Sequence, residues 1–362
     1  MGLFDIIEAM RIWDYGCEKM KKKGIILGLI FLIGCTAPQE ENTEITYSRT
    51  EILMNTPVEI QIFNNGSNEL LDDAFDLVAD LERRLTVNDT GSEVEDINEA
   101  AGISPIAVSE DTFYLIERSV YFSSYSDGLF NVAIGPLTQL WSIGFDNAQR
   151  PDDDEIADIL PLLNYLNITL DPNSQTVFLE EKGMRLDLGG IAKGFIADEV
   201  SSLLTDHDVD RALIIVGGDI FALGHNDTGD PWRIGIRNPI LDPNSEQVLI
   251  GSIPAANQAV ATSGVYERYI EVAGNIYHHT LDWQTGFPFE TDILSISIVA
   301  DTGLLAEVYS TVLFGKTIEE GLAYIESIDS IEAILISADK GIYLTTGLQE
   351  NFVLLAEDFE IR

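Results

Sequence analysis

The sequence predicts an α+β fold of mixed, largely antiparallel sheets with packed helices, and three observations carry that expectation. From Trp232 to Val299 the pattern is almost wholly β, with short alternating runs at 232–237, 247–253, 266–272, 276–281 and 293–300 broken by Asn-Pro, Thr-Ser-Gly and Thr-Gly turns. Helical spacing of apolar residues flanks this block at 70–85, 111–125, 191–205, 303–314 and 317–327. Helices mixed with hairpins in this irregular way point away from a doubly wound sheet. At 362 residues, 46% of them hydrophobic, the chain has ample material for a core.

The amino-terminal part reads differently. From Met20 the chain runs Met-Lys-Lys-Lys-Gly, then nine mostly apolar residues from Ile25 to Ile33, then Gly34-Cys35. That run is shorter than the ~20 residues a bilayer span needs and fits the core of a secretory signal. Leu32-Ile33-Gly34-Cys35 resembles the bacterial lipobox, which implies cleavage before Cys35 and acyl chains on its sulfur and new amine. An exported, membrane-anchored lipoprotein is therefore expected. Residues 1–19 fit neither a signal nor the following domain, so translation is expected to begin at Met20. The division predicted is a signal segment at 1–34, a lipid-anchored tether rich in Glu, Thr, Ser and Asn at 35–50, and a folded domain at 51–362.

Charge and cysteine content exclude whole classes of function. With 61 acidic against 20 basic residues the net charge is −41, and a nucleic-acid partner, which needs lysine and arginine to replace counterions, is excluded. The two cysteines, Cys17 and Cys35, both precede the domain, so no disulfide staples it.

Within the domain, Val58–Phe63 alternates as a half-buried strand, just after Met54, and 70–85 is helical. Ser109 is placed to cap the helix over 111–125. Ser126–Trp141 is turn-rich, with two glycines, a proline and bulky apolar residues. A strand-like run, Arg185 to Leu188, ends in Gly189-Gly190 and opens into the 191–205 helix. The apolar run Arg211–Val216 reads as a buried strand ending in Gly217-Gly218-Asp219, and late strands are expected at 331–337 and 351–355.

Candidate chemistry gathers on the Gly189-Gly190 turn. Strand, glycine turn and helix N-terminus are the layout of an anion site, with Lys193 adding charge on the first turn and Asp187 placed to hold a ribose or base edge or to help seat a cation. On spacing alone, the same glycines serve packing equally well. Of the four histidines, none pairs at the helical spacing of a zinc protease, and Phe314-Gly315-Lys316-Thr317 lacks the earlier glycine of a P-loop. His278 and His279 lie on a strand, so only one of them faces a given cavity; a histidine there is a candidate base or an ordinary edge-strand residue. Glu307 and Thr311 are four apart on a helix and share a face.

Taken in order, the motifs resemble the FAD:protein FMN transferase (ApbE) family. They are Ser126-Asp127-Gly128-Leu129-Phe130 with Gly135-Pro136-Leu137, Asp187-Leu188-Gly189-Gly190-Ile191-Ala192-Lys193-Gly194, Gly217-Gly218-Asp219, Thr262-Ser263-Gly264, His279 with Asp282 and Thr285-Gly286, and Ala306-Glu307 with Ser310-Thr311. The resemblance implies Mg2+-dependent transfer of FMN from FAD to a threonine or serine hydroxyl of a membrane redox protein. It implies metal contacts at Gly190, Glu307 and Thr311, and FAD contacts at Met54, Leu129, Phe130, Asn131, Asp187, Lys193 and Leu281. It makes His279 the candidate base. Alternatives of the same lineage are an FAD pyrophosphatase releasing FMN and AMP, and a non-catalytic FAD-binding lipoprotein. The chain departs from the family where Glu307 replaces the usual aspartate, and at Asn131, Ala133, Asn88 and Trp283.

Overall fold

In the computed structural model, which describes residues 46–240 and 247–362, the chain is built on a nine-stranded sheet. Its strands are β1 (Tyr47–Leu53), β2 (Thr56–Ile62), β3 (Ala212–Val216), β4 (Asp219–Leu223), β5 (Gln258–Gly264), β6 (Ile293–Ala300), β7 (Ile331–Ser337), β8 (Gly341–Leu344) and β9 (Glu360–Ile361). Spatial order follows chain order throughout. Every neighbouring pair is antiparallel except the last, β8 with β9. The lipobox, Cys35, the apolar run and the start at Met20 lie outside the described residues.

The longer helices among the described residues are α1 (Asn68–Leu85), α2 (Glu110–Tyr125), α3 (Ala192–Asp206), α4 (Gly303–Val312) and α5 (Ile318–Glu326). Helix α1 shows why such segments fold where they do. Its buried residues Leu70, Leu71, Ala74, Phe75, Val78, Leu81 and Leu85 form one stripe at helical spacing, and the Ser67 hydroxyl accepts the Leu70 N–H at its start. The helices cover one face of the sheet in the main core, with Ile60, Ile214, Ile296 and Ile298 beneath them. On the other face, Val260, Val299, Ile334 and Ile336 pack against a small sheet formed by Trp232–Arg237, Leu249–Ala255 and Val353–Leu354. Covered on both faces, β6 and β7 are buried along nearly their whole length. A third, smaller cluster joins Leu137, Trp141, Ile143, Ile156, Leu163 and Leu281.

Several local expectations need correction. Pairing with β2 draws residues 47–50 into β1, so the polar stretch read as tether ends in a strand. Arg185–Leu188 is extended but joins no ladder: the Leu186 N–H donates to the Asn98 side chain and the Asp187 N–H to the Val132 carbonyl. Thr262-Ser263-Gly264, read as a turn, is the end of β5, paired with Ser297, Ile296 and Ser295 of β6. Ser109 does occupy the cap position of α2, but its hydroxyl donates to Glu93 instead of capping. The turn-rich stretch before Trp141 ends in a short helix, Gly135–Trp141, whose Pro136 sits in the first turn.

Candidate active site

Helices α3 and α4 cross at a point where neither has a side chain. A Cβ on Gly194 would stand 2.1 Å from the Gly303 carbonyl oxygen, and one on Gly303 would stand 2.5 Å from the Gly194 oxygen. Only glycine at both positions permits this approach. It brings the first turn of α3, carrying Lys193, against the face of α4 that carries Glu307 and Thr311.

Glu307 is informative because α4 is otherwise almost wholly apolar or small, and this carboxylate is only 3% exposed. A charge there requires partners. Its Oε2 accepts the Gly194 N–H at 2.7 Å, and its Oε1 lies 2.7 Å from Lys193 Nζ. The same ammonium donates to Asp219 Oδ2, while Asp219 Oδ1 accepts the Thr262 N–H at 2.9 Å. Burial opposes the charge on Lys193, but Asp219 and Glu307 outweigh it and hold the ammonium well above its ordinary value. Burial raises the Glu307 carboxyl, with Lys193 and the Gly194 N–H opposing that rise. Lys193 is thus a fixed counter-ion between two carboxylates, and the Gly194 amide in the first turn of α3 is already capped by Glu307.

Gly190 sits beside this group: a Cβ on it would lie 3.4 Å from Thr311 Oγ1 and 3.3 Å from the Phe130 ring. A hydroxyl, a carboxylate and the backbone at a glycine that leaves room beside them form an oxygen donor set suited to a hard divalent ion, which keeps part of its shell for water and phosphate. The charge balance agrees, since one ammonium against Asp219 and Glu307 leaves an excess negative charge. Among the described residues no cluster of three or more His, Cys, Asp or Glu side chains forms a metal cage.

The hairpin turn between β1 and β2 borders the same corner. Met54 and Asn55 both have positive φ, 52° and 55°, the conformation of a two-residue primed turn that a methionine adopts only under constraint. Glu82 of α1 pins it by accepting the Met54 N–H at 2.6 Å. Thr56, next in the chain, is close to Gly217, whose Cβ would lie 2.8 Å from Thr56 Oγ1 and 3.5 Å from Lys193 Cδ.

The sequence expectation that both histidines lie on a strand needs correction: only His278 ends the strand Asn275–His278, and His279 follows it in a bend, so the two rings sit in different surroundings. His278 is buried with both nitrogens occupied: Nε2 bonds the Phe289 carbonyl at 3.0 Å, so it carries the proton, and Nδ1 accepts the Thr280 N–H at 3.3 Å. His279 Nδ1 lies 3.2 Å from the Arg268 carbonyl, which only accepts, so Nδ1 holds the proton of the neutral ring and Nε2 keeps its lone pair. Burial lowers the His279 pKa to about 4, helped by the nearby Arg268 and Lys193 charges. The Asp282 carboxylate instead closes its own turn, accepting from the Gln284 N–H and the Thr285 hydroxyl.

The corner therefore gathers Gly190, Lys193, Glu307, Thr311 and Phe130, with Met54 at its border. Asp187 lies on the flank, its Oδ2 accepting from Thr138 Oγ1 at 2.7 Å and its Oδ1 from the Gly189 N–H at 2.8 Å. Leu129 packs beside Gly315. The Asn131 side chain is turned inward, donating to the Leu163 carbonyl and accepting the Ala133 N–H, and Leu281 is buried in the small cluster with Trp141. Asp219 was given no role from the sequence; the signal for it was its place directly after the second glycine pair at a strand end. Two cavities of about 520 and 360 Å3 lie elsewhere, one beside Asn238 and Lys340 and the other beside Gln139 and Arg185.

Comparison with known proteins adds independent findings. The model of the ApbE family matches residues 54–335. The FAD:protein FMN transferase of Klebsiella pneumoniae (strain 342) is 37% identical over 315 residues, covering 87% of this chain and 96% of its own. That of Treponema pallidum (strain Nichols) is 34% identical, covering 86% and 90%. The crystal structure of the ApbE protein from Thermotoga maritima superposes with a TM-score of 0.78 at 27% identity, covering 85% of this chain and 99% of its own.

Proposed function

This chain belongs to the ApbE family, and from that premise we propose that it transfers FMN from FAD to a threonine or serine hydroxyl of an acceptor protein, with Mg2+ held at the α3–α4 corner. The observation that carries the reading is the meeting of Gly190, Thr311, Lys193 and Glu307 at one point from two motifs more than 100 residues apart.

The reaction forms one bond and breaks another. The acceptor oxygen bonds to the phosphorus on the flavin side of FAD, the bridging phosphorus–oxygen bond breaks, and AMP leaves with that oxygen. His279 Nε2, kept unprotonated by the Nδ1–H bond to the Arg268 carbonyl, takes the acceptor hydroxyl's proton. Asp187, steadied by Thr138 and Gly189, flanks the turn where the nucleotide lies. Gly190, Glu307 and Thr311 would hold the ion, and Lys193 fixes Glu307 by charge. When bound, Mg2+ offsets the negative charge that gathers on the diphosphate as its bond breaks. A glutamate at the metal position reaches one methylene further than aspartate, and here that reach is used to span from α4 to the Gly194 amide and Lys193.

The segment from Met20 to Pro38 supports an exported protein held to a membrane through acyl chains on Cys35, and loss of palmitate labelling in Cys35→Ser tests this. The activity itself is tested by incubating the protein with FAD, Mg2+ and an acceptor domain and weighing the acceptor intact. A mass gain equal to FMN with AMP released is the expected result. Free FMN and AMP with an unchanged acceptor would replace transfer by hydrolysis, and no AMP at any Mg2+ concentration would leave a flavin-binding protein.

A further inference from the structure

Beyond the residues that face the corner, the contact between α3 and α4 contains a second carboxylate with no place in the transfer chemistry. Asp198, one turn along α3 from Gly194, reaches across to the start of α4. Its Oδ1 accepts the Gly303 N–H at 2.6 Å and its Oδ2 the Leu304 N–H at 3.0 Å. The next amide, that of Leu305, is capped by Thr302 Oγ1 from within α4's own chain at 3.2 Å. Glu307 does the converse, reaching from α4 to cap the Gly194 amide of α3.

The two helices therefore exchange caps. Gly194 and Asp198 on one side mirror Gly303 and Glu307 on the other, each glycine four residues before its carboxylate, with the two glycines touching at the centre. One carboxylate of this exchange lies beside the ion and diphosphate corner and the other lies on its far side. We propose that Asp198 is a positioning residue for the transfer reaction: by binding the first two amides of α4 from α3, it fixes the register that sets Glu307 and Thr311 against Lys193 and Gly190. It touches neither substrate nor metal. A carboxylate suits the task because two acceptor oxygens meet two adjacent amides, and because a negative charge is favoured at a helix start.

This inference rests on the proposed metal corner, and its test separates the two. Binding of Mn2+, as a probe for Mg2+, is followed by electron paramagnetic resonance on the parent, Asp198→Asn, Asp198→Glu and Thr302→Ala, together with FAD binding without metal and thermal unfolding. Asp198→Asn keeps the shape but offers one acceptor oxygen where two are needed. Loss of a residue that orients a ligand typically weakens metal affinity by about 10- to 100-fold, and a loss of at least about 10-fold is expected here with metal-free FAD affinity within about twofold of the parent. Asp198→Glu keeps both oxygens on a longer arm and is expected to stay folded while also weakening Mn2+ binding. Thr302→Ala removes a cap of α4 without touching α3, and it is expected to lower the unfolding temperature while leaving Mn2+ affinity near that of the parent. Parent-like Mn2+ affinity in either folded Asp198 variant overturns the proposal. So does an equal loss in Thr302→Ala, because general weakening of α4 would then explain it. A parent protein that binds no Mn2+ sinks the metal corner itself and is recognised before any variant is compared.

Discussion

Gly194→Ala probes the central contact with the fewest added atoms. The new Cβ would stand 2.1 Å from the Gly303 oxygen, 2.3 Å from its carbonyl carbon and 2.7 Å from the Leu304 nitrogen, all of them backbone. No side chain there can rotate away, so α3 and α4 must separate by about 1 Å to restore ordinary contact distances. Overpacking of this kind costs about 1–3 kcal/mol in stability. Function suffers more, because the same movement pulls the Gly194 amide off Glu307 Oε2 and shifts Lys193 relative to Thr311. A misplacement of about 1 Å in a catalytic constellation costs on the order of 10²-fold in rate. Initial rates of acceptor flavinylation at 25 °C, with circular dichroism to confirm folding, measure the effect. Gly321→Ala, within α5, is the control, since its Cβ would meet only ordinary contacts, 3.4 Å from Leu335 and 3.6 Å from Leu313. Gly194→Ala at the parent rate and unfolding temperature would show that the corner does not depend on the close approach of the two helices.

Other expectations rest on the same geometry. His279→Ala should lower transfer by about 10²- to 10⁴-fold while FAD binding is retained, as measured by flavin fluorescence. With the His279 pKa lowered to about 4, the neutral base persists above that value, so kcat/KM should fall only as pH drops towards 4; an acid limb near 6.5 would contradict that lowering. Burial raises the Asp198 carboxyl from 3.8 to about 6, against the pull of the Leu304 and Gly303 amides. Between those values the folded chain holds a proton that the unfolded chain has lost, so stability is greatest below the lower value and declines as pH rises to 6, by up to on the order of 3 kcal/mol. Asp198→Asn should lack that slope in denaturant titrations across the window. Lys193→Met leaves Asp219 and Glu307 buried without their shared cation and should cost about 3–5 kcal/mol in chemical denaturation.

Much of the fold was legible because its signals are local. Alternation marked β2 and β6, and a continuous apolar run marked β3, whose neighbours in space are β2 and β4. The glycine turn before α3 and the Glu307–Thr311 pair were readable from spacing. Errors arose where a distant partner decides the structure. Arg185–Leu188 has the composition of a strand, yet its amides are claimed by Asn98 and Val132, far off in sequence. Thr262-Ser263-Gly264 looks like a turn, but β6 pairs with all three residues and holds them extended. The roles of Asp219 and Asp198 were hidden for the same reason: Asp219 binds a lysine 26 residues away, and Asp198 caps a helix that begins more than 100 residues later. No window of sequence contains either pairing.

The proposed chemistry depends on where the diphosphate of FAD lies. A crystal structure with FAD and Mg2+ bound measures that directly. The two phosphorus atoms are expected at the turn of Gly189 and Gly190, with the ion touching Glu307 and Thr311 and His279 facing the flavin-side phosphorus. Diphosphate density in the cavity beside Asn238 and Lys340, or in the one beside Gln139 and Arg185, with the α3–α4 corner empty, would contradict that placement.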